Sequence, residues 1–247
     1  MKRLAQLIVW LIVLGLLARS GFGGAAAEQQ PELKTAKAVP VKYYLALPAG
    51  WNAKKTWPIL VTIDGSGHNF LSNCQQFMQA RSRLPFIIVT PHVVSNGNDP
   101  NDLAAVLAIV REVQKDAQGQ PKFFITGFSA GGHLAWQLIL MHPELLAAAA
   151  PAAGNFLGRG VTAVSEAKER VQLPIHGFQG DKDLDALNKQ WADAEDTARK
   201  HGYTNIVRTV VPGAGHQAFP QQVVSFFAGL IAAPAPPAAP PASATKE

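Results

Sequence analysis

Cysteine is almost absent from this chain, since Cys74 is the one cysteine in 247 residues. A single thiol forms no internal disulfide, so small disulfide-held proteins are excluded, and a buried apolar role is expected for Cys74. Charged residues are also few, at 16%, whereas hydrophobic residues make up 48%. This composition favours a globular protein with a full apolar core, and the length suits one domain.

The chain also lacks a large excess of charge of either sign. Its formal net charge is +5, but Lys2, Arg3 and Arg19 lie in residues 1–27, which contain no acid. Without these three positive charges the value falls from +5 to +2. So small an excess argues against the class of proteins that bind nucleic acid through a basic surface, and we expect no nucleic-acid partner.

A full-length membrane span is missing near the N-terminus. The apolar run at 4–17 is shorter than the roughly 20 residues that a spanning helix needs. It follows Met1-Lys2-Arg3 and precedes Ala25-Ala26-Ala27, an order that is typical of a secretory signal peptide cut after Ala27. We therefore expect a secreted or periplasmic protein without stable membrane insertion. A retained membrane anchor is the alternative.

Beyond residue 27, composition divides the chain into three parts. Residues 28–40 are polar and mixed, which predicts a flexible lead-in, and 232–247 are rich in Ala and Pro, which predicts a disordered tail. Between them, at 41–231, apolar runs alternate with helical patterns, which predicts an α/β fold with a mostly parallel sheet covered on both faces. Strands are expected at 41–47, which we expect at the edge of the sheet, and at 59–63, 86–90, 122–126, 145–151, 173–179 and 205–211. Helices are expected at 103–115, 161–170, 184–201 and 220–231. Two further helices are expected to end near residues 81 and 141.

One stretch combines a strand, a sharp turn and a helix around a serine. Residues 127–131 read Gly-Phe-Ser-Ala-Gly, with an apolar run before them and a helical pattern after them. This pattern is typical of a nucleophile elbow, in which the backbone of Ser129 is cramped and its hydroxyl is exposed beside a helix N-terminus. A Gly/Ser-rich loop in some other α/β protein is the alternative interpretation.

An attacking serine needs a base, and the base needs a carboxylate that orients it. The strand expected at 173–179 is followed by Gly180-Asp181-Lys182-Asp183. Catalytic groups of such sheets lie just past the carboxyl ends of strands. We favour Asp183 as the acid, with Asp181 and Asp185 as rivals.

The base is expected after the last strand. Residues 212–215 form a Gly-rich turn, and His216 follows it immediately before the closing helix. His216 completes the chain order Ser, Asp, His. The other histidines that follow Ser129 fall in or beside helices or within a strand: His133, His142, His176 and His201.

Backbone N–H groups that could stabilise an oxyanion are expected in the loop after the strand at 59–63. This loop begins Asp64-Gly65-Ser66-Gly67. We take the Ser66 and Ala130 N–H groups as the pair of donors, with Gly67 as a substitute for Ser66. A plain turn between strand and helix is the alternative. The histidines and acids show no metal-ligand spacing, so no metal or cofactor is expected.

With these residues assembled, the sequence resembles the α/β-hydrolase superfamily, and within it the exported esterases related to polyhydroxybutyrate depolymerases and feruloyl esterases. The resemblance covers about residues 41–230. It implies a three-layer sandwich without a large lid domain, and a serine hydrolase of carboxylic esters that uses Ser129, His216 and Asp183. That group usually has His-Gly where this chain has Asp64-Gly65. The motifs that carry the resemblance lie at 127–132, 142–145, 153–154, 180–183 and 213–216.

The substrate expected from this resemblance is a small-molecule or polymeric ester. About twenty residues separate Pro151 from the strand at 173–179, which leaves no room for a large lid, so we expect an open site with Phe128 and Phe156 as apolar walls. Two alternatives remain. One is a serine peptidase or amidase on the same fold, because the triad does not specify the leaving group. The other is a non-catalytic binding protein derived from the fold.

Overall fold

The computed structural model describes residues 30–232. The proposed signal peptide and all of the proposed tail except Ala232 lie outside the described residues. The described strands are β1 (Glu32–Thr35), β2 (Lys42–Ala46), β3 (Ile59–Ile63), β4 (Ile87–Pro91), β5 (Phe123–Gly127), β6 (Leu146–Ala149), β7 (Ile175–Gly180) and β8 (Ile206–Val211). The described α-helices are α1 (Phe70–Arg81), α2 (Pro100–Asp116), α3 (Gly132–Met141), α4 (Asp185–Lys200) and α5 (Pro220–Ala232).

All eight described strands join in one sheet, in the order β1-β2-β4-β3-β5-β6-β7-β8. The strands β1, β2 and β4 pair antiparallel, and every pair from β4 to β8 is parallel. The expected mostly parallel sheet of an α/β-hydrolase is therefore confirmed, and no large extra domain is present among the described residues.

Helices cover both faces of the sheet because its central strands are apolar on both sides. Every residue of β3, β4 and β5 is buried. Along β3, Ile59, Val61 and Ile63 pack into one apolar cluster with α2, α3 and α4, whereas Leu60 packs into a second cluster with α1 and α5. Burying one such aliphatic side chain stabilises the fold by about 1.5–3 kcal/mol. The sheet thus forms the middle layer of a three-layer sandwich.

The expectation of a flexible lead-in at 28–40 is not met, because that segment contains β1. This strand pairs with β2 along its whole length. Its side chains are mostly exposed, so it carries no apolar alternation by which the sequence could show it. It also covers the outer side of β2, which is therefore not the edge strand expected at 41–47.

The helix expected at 161–170 is also wrong. The segment runs as an irregular loop and contains only a short 3₁₀ turn, Lys168–Val171. Val161 and Val164 pack against the apolar core, and the Ser165 N–H donates to the Leu140 carbonyl at 2.8 Å. These tertiary contacts, and not a helical hydrogen-bond ladder, hold the loop.

Cys74 lies on α1 with its side chain fully buried, and it is a free cysteine. Burial raises the pKa of its thiol to about 11, so the group stays protonated and behaves as a small apolar side chain. Within residues 30–232, none of the helices has the length and apolar character needed to cross a bilayer.

Candidate active site

The turn between β5 and α3 holds Ser129 in a strained backbone conformation. The strand ends at Gly127, a 3₁₀ turn covers Ser129–Gly131, and α3 starts at Gly132. Ser129 has a φ of +50°, in the left-handed region that non-glycine residues rarely adopt. Such a conformation costs about 1–3 kcal/mol and persists only where surrounding structure enforces it.

Two glycines of the turn allow that structure to approach closely. A Cβ atom added at Gly131 would lie 2.5 Å from the carbonyl oxygen of Asp64, and one added at Gly132 would lie 2.5 Å from the backbone nitrogen of Asn155. The Asn155 N–H in turn donates to the Ser129 carbonyl at 2.8 Å. The turn is therefore packed between the loop after β3 and the loop after β6.

The side chains of Ser129, His216 and Asp183 form one hydrogen-bonded chain. The Ser129 Oγ lies 2.9 Å from His216 Nε2, and His216 Nδ1 lies 2.8 Å from Asp183 Oδ1. Because a carboxylate only accepts, Nδ1 carries the hydrogen and donates to Asp183, which leaves Nε2 to accept from the serine hydroxyl. The Asp183 side chain is fully buried, whereas that of His216 is 31% exposed. The arrangement places a proton acceptor directly beside the hydroxyl.

Of Asp181, Asp183 and Asp185, which follow β7, only Asp183 is hydrogen-bonded to His216. Asp181 and Asp185 are exposed. The carboxylate of Asp183 also accepts from the Leu184 N–H at 2.7 Å, which fixes it at the N-terminus of α4. The structure thus brings together all three residues that we favoured from the sequence.

Close backbone contacts join the acid loop to the histidine loop. A Cβ atom at Gly180 would overlap the carbonyl oxygens of Ala214 and Gly215. The Lys182 N–H donates to the same Ala214 carbonyl at 2.9 Å. Gly180 therefore allows the end of β7 to lie against the turn that precedes His216.

The loop after β3 lies against the nucleophile. A Cβ atom at Gly65 would be 3.0 Å from the Ser129 Cβ, so this backbone passes directly beside the serine. The His68 N–H donates to the Gly65 carbonyl at 3.2 Å and closes a turn in which Ser66 is exposed. We expect Ser66 and Ala130 to supply the oxyanion donors. They directly follow Gly65 and Ser129, which lie side by side.

Asp64, the departure from the His-Gly pattern, is buried at the start of this turn, with 7% exposure. Burial raises the pKa of its carboxyl, while hydrogen bonds from the Gly65 and Asn69 backbone N–H groups oppose that rise. Its Oδ2 atom has no hydrogen-bond partner among the described residues. The carboxylate therefore lies inside the turn and accepts from its backbone.

The two aromatic residues that we expected as walls of the site lie in different places. The ring of Phe128 is 4.9 Å from the ring of His216, centroid to centroid, so Phe128 borders the site. Phe156 is 7% exposed and packs edge-on against Trp136, with centroids 5.7 Å apart. Its ring belongs to the core, which does not fit a wall of the site.

Sequence reasoning missed two glutamines that hold loops, one of which, Gln190, fixes the loop that is hydrogen-bonded to Ser129. The Gln190 Oε1 accepts from the Asn155 side chain at 3.0 Å and from the Phe156 N–H at 2.8 Å. The Gln137 Nε2 donates to the carbonyls of Gly97 and Arg159, both at 2.8 Å. The one available signal was Gln137 itself, a polar residue within the otherwise apolar second half of α3.

Metal-ligand groups are not found among the described residues: across residues 30–232, no cluster of three or more His, Cys, Asp or Glu side chains could hold a metal ion.

The sequence profile of the dienelactone hydrolase family matches residues 42–225, which is most of the chain. The chain belongs to the dienelactone hydrolase family. It is accordingly a carboxylic ester hydrolase of the α/β-hydrolase superfamily, as the resemblance implied. No curated protein sequence matches the chain significantly.

Solved structures with the same fold include several esterases. A thermostable esterase has a TM-score of 0.62 at 19% identity, over 81% of this chain and 62% of that one, so this chain spans less than two thirds of that protein. The poly(3-hydroxybutyrate) depolymerase LpqC from Bordetella parapertussis has a TM-score of 0.62 at 18% identity, over 84% and 91% of the two chains. Est1E from Butyrivibrio proteoclasticus has a TM-score of 0.59 at 15% identity, over 83% and 100%. At these identities the similarity establishes the shared fold.

Proposed function

We propose that this protein is an exported serine hydrolase that cleaves carboxylic esters, with Ser129 as nucleophile, His216 as general base and Asp183 as the carboxylate that orients the base. The observation that carries the proposal is the chain of hydrogen bonds from Ser129 through His216 to Asp183, at 2.9 and 2.8 Å. Both distances lie within the reach that proton transfer requires. The strained φ of Ser129 supports the same role.

In the first half of the reaction, His216 Nε2 takes the proton from the Ser129 hydroxyl while Oγ attacks the carbonyl carbon of the ester. The negative charge that develops on the carbonyl oxygen is stabilised by the Ser66 and Ala130 N–H groups. The tetrahedral intermediate then collapses. Its C–O bond to the alcohol breaks, the alcohol leaves with the proton held by His216, and an acyl-Ser129 ester remains.

In the second half, a water molecule replaces the alcohol. His216 accepts a proton from the water as its oxygen attacks the acyl carbon, and a second tetrahedral intermediate forms. The bond from the acyl carbon to Ser129 Oγ then breaks, and His216 returns the proton to the serine. The carboxylic acid leaves and the enzyme is restored, without a metal or cofactor in any step.

A small-molecule or polymeric ester is the substrate class that we propose. The only described segment between β6 and β7 is a loop with one 3₁₀ turn, so no large lid covers the serine among the described residues. His216 is partly exposed and Phe128 borders it, which suits an open site with an apolar edge. A structural neighbour described as a poly(3-hydroxybutyrate) depolymerase supports access for polymers.

Export is proposed on the sequence of residues 1–27, in which Met1-Lys2-Arg3, an apolar run and Ala25-Ala26-Ala27 follow one another. N-terminal sequencing of the protein from the medium or periplasm should give a mature chain that begins at Glu28. Recovery of the full-length chain in the membrane fraction would instead support a retained anchor.

Two assays on the purified protein test the catalytic proposal. A fluorophosphonate probe should label the wild-type chain and the Ser225→Ala variant, whose serine is exposed on α5, and should not label Ser129→Ala. A panel of p-nitrophenyl esters and the matching anilides then measures the leaving-group preference. Preferred turnover of anilides would favour a peptidase or amidase, and a protein that neither reacts with the probe nor turns over any substrate would be a binding protein.

A further inference from the structure

The loop after β6 holds the backbone of the nucleophile. The Asn155 N–H donates to the Ser129 carbonyl at 2.8 Å, and the missing side chain of Gly132 leaves room for the Asn155 backbone. Ala153, two residues earlier, has a φ of +45°, in the left-handed region that alanine rarely adopts. A loop that is itself strained needs contacts that enforce its shape, so its hold on Ser129 is only as firm as those contacts.

One side-chain oxygen receives two hydrogen bonds from this loop. The Oε1 atom of Gln190 accepts from the Phe156 N–H at 2.8 Å and from the side-chain amide of Asn155 at 3.0 Å. The Phe156 N–H belongs to the peptide unit that directly follows Asn155. Gln190 therefore restrains both the side chain and the following peptide of the residue whose own N–H is bonded to Ser129.

Gln190 lies on the helix that begins beside the acid. Asp183 accepts from the Leu184 N–H at 2.7 Å, and α4 begins at the next residue, Asp185. At 1.5 Å per residue, Gln190 is about 7.5 Å further along the helix axis, in the second turn. A single hydrogen-bonded helix therefore fixes the acid at its start and holds the serine loop shortly afterwards.

Two paths of contacts connect the acid with the serine. The first runs through side-chain hydrogen bonds from Asp183 to His216 and on to Ser129. The second runs from the start of α4 to Gln190, through the loop to Asn155, and from its N–H to the Ser129 carbonyl. The first path contains the groups that transfer the proton, and the second contains none of them. The second path sets where the serine backbone lies relative to the acid.

Apolar packing attaches the same loop to the core, so attachment is not what the two hydrogen bonds add. The buried ring of Phe156 packs against Trp136, which packs against Trp191 of α4, with centroid distances of 5.7 and 5.6 Å. Apolar burial is non-directional, whereas a hydrogen bond has a preferred length and angle. The bonds to Gln190 therefore contribute the orientation of the loop backbone.

We propose that Gln190 is a positioning residue for the proposed reaction: it orients the loop at 155–156 so that Ser129 stays within hydrogen-bond reach of His216. The inference rests on the proposed function, because the residue that it positions is the attacking serine. The side-chain oxygen of Gln190 is the group that acts, since both hydrogen bonds from the loop end on it.

The test removes the accepting oxygen and measures the reactivity of the serine. Gln190→Met keeps the length of the side chain without the oxygen, whereas Gln190→Glu keeps an oxygen that accepts. Reaction of the fluorophosphonate probe with Ser129 gives a limiting rate and an apparent dissociation constant. In Gln190→Met the limiting rate should fall about ten- to a hundredfold, as for a displacement of up to about one ångström, while the dissociation constant stays within about threefold. Gln190→Glu should recover most of the rate.

The matched control is Gln137→Met. The side chain of Gln137 also makes two hydrogen bonds to loops, to the carbonyls of Gly97 and Arg159. Within residues 30–232, neither of these two residues is hydrogen-bonded to Ser129. Gln137 is 3% exposed and Gln190 is partly exposed, so the control should lower the melting temperature at least as much. Its labelling rate should nevertheless stay within about twofold of the wild-type value.

Asn155→Ala removes one of the two hydrogen bonds and should slow labelling about three- to fivefold, which tests the link even if Gln190→Met does not fold. A wild-type rate in Gln190→Met or, failing that variant, in Asn155→Ala would overturn the proposal. An equal loss in Gln190→Glu would do so as well, since the oxygen would then not matter, and so would an equal loss in Gln137→Met. The final extent of labelling measures the folded fraction of each variant, whereas absence of labelling in the wild-type protein contradicts the proposed function itself.

Discussion

The two halves of the candidate site are positioned by different means. Ser129 follows β5, whose residues are all buried in the middle of the sheet, and glycine contacts press other backbone segments against it. His216 follows β8 at the edge of the sheet, a strand on which Val207 and Val210 are 53% and 45% exposed. Its position depends on side-chain hydrogen bonds and on the backbone contacts that Gly180 and Lys182 make with the turn before it.

This difference indicates where each half is vulnerable. Backbone packing in a buried centre resists change and keeps the serine in its strained conformation. A ring at a sheet edge is held only as firmly as its hydrogen-bond partners and the loop beneath it. Removal of the nucleophile itself should therefore abolish the chemistry outright, and substitutions on the base side should act through orientation.

The largest effect is expected for Ser129→Ala, which removes the nucleophile but leaves the buried turn packed. Without Oγ only binding and oxyanion stabilisation remain, so kcat should fall by about 10⁶-fold while the melting temperature changes little. Ester turnover by the purified variant, with circular dichroism as the folding control, measures this. Retention of substantial turnover would contradict the role of Ser129.

The next largest effect is expected for Asp183→Asn, on the side held by hydrogen bonds. The amide cannot fix the tautomer of His216 as the carboxylate does, so kcat should fall by about 10⁴-fold. The matched controls are Asp181→Asn and Asp185→Asn. Asp181 lies in the same loop, Asp185 is the first residue of α4, and both are exposed. Each should cost less than about threefold, because neither residue is hydrogen-bonded to the ring. A crippling effect of Asp181→Asn would contradict the assignment of the acid.

A smaller effect is expected for Gly180→Ala, which tests the contact between the acid and histidine loops. The added Cβ must push the Ala214–Gly215 backbone away, and His216 moves with it. A displacement of His216 by up to about one ångström should lower kcat/KM about ten- to a hundredfold. Gly215→Ala is the control, since a Cβ there meets no atom within 4 Å and its φ is not positive. Equal losses in the two variants would show that chain stiffness, and not the contact, matters.

The smallest effect is expected at Asp64, on the nucleophile side. Asp64→Asn keeps an oxygen that accepts from the Gly65 and Asn69 N–H groups, so kcat should stay within about threefold of the wild-type value. Asp64→Ala removes both hydrogen bonds and loosens the turn. It should lower kcat about tenfold with little change in KM. Steady-state kinetics of both variants measures this. A higher kcat in Asp64→Ala would mean that the carboxylate opposes the oxyanion.

Stability against pH provides an independent check on Asp64. Burial raises the pKa of its carboxyl, so the folded state favours the protonated form. The relevant pH window runs from the ordinary pKa of an aspartate, which applies to the unfolded chain, to the raised pKa of Asp64 in the folded chain. As the pH rises through this window, the wild-type chain should lose stability relative to Asp64→Asn. A difference in melting temperature that does not vary between pH 3 and pH 7 would contradict the raised pKa.

Much of the fold and of the candidate site could be predicted because the signals are local. The apolar runs of β3, β4 and β5 specify buried strands, and the spacing of Gly127, Ser129 and Gly131 specifies the turn between strand and helix. The chain order of serine, acid and histidine then follows from the order of the strand ends. Local sequence failed at β1, whose exposed side chains carry no pattern, and at 161–170, where tertiary contacts replace a helix.

What only the tertiary structure decided depends on residues that are far apart in the chain. The choice of Asp183 over Asp181 and Asp185 rests on a contact with His216, 33 residues away, and the contact of His216 with Ser129 spans 87 residues. The rings of Tyr44, His68, Phe70 and His92 come together from β2, the turn after β3, the start of α1 and the segment after β4. Spacing along a chain specifies backbone conformation, but it does not specify which side chains meet when strands from distant segments come to lie side by side in one sheet.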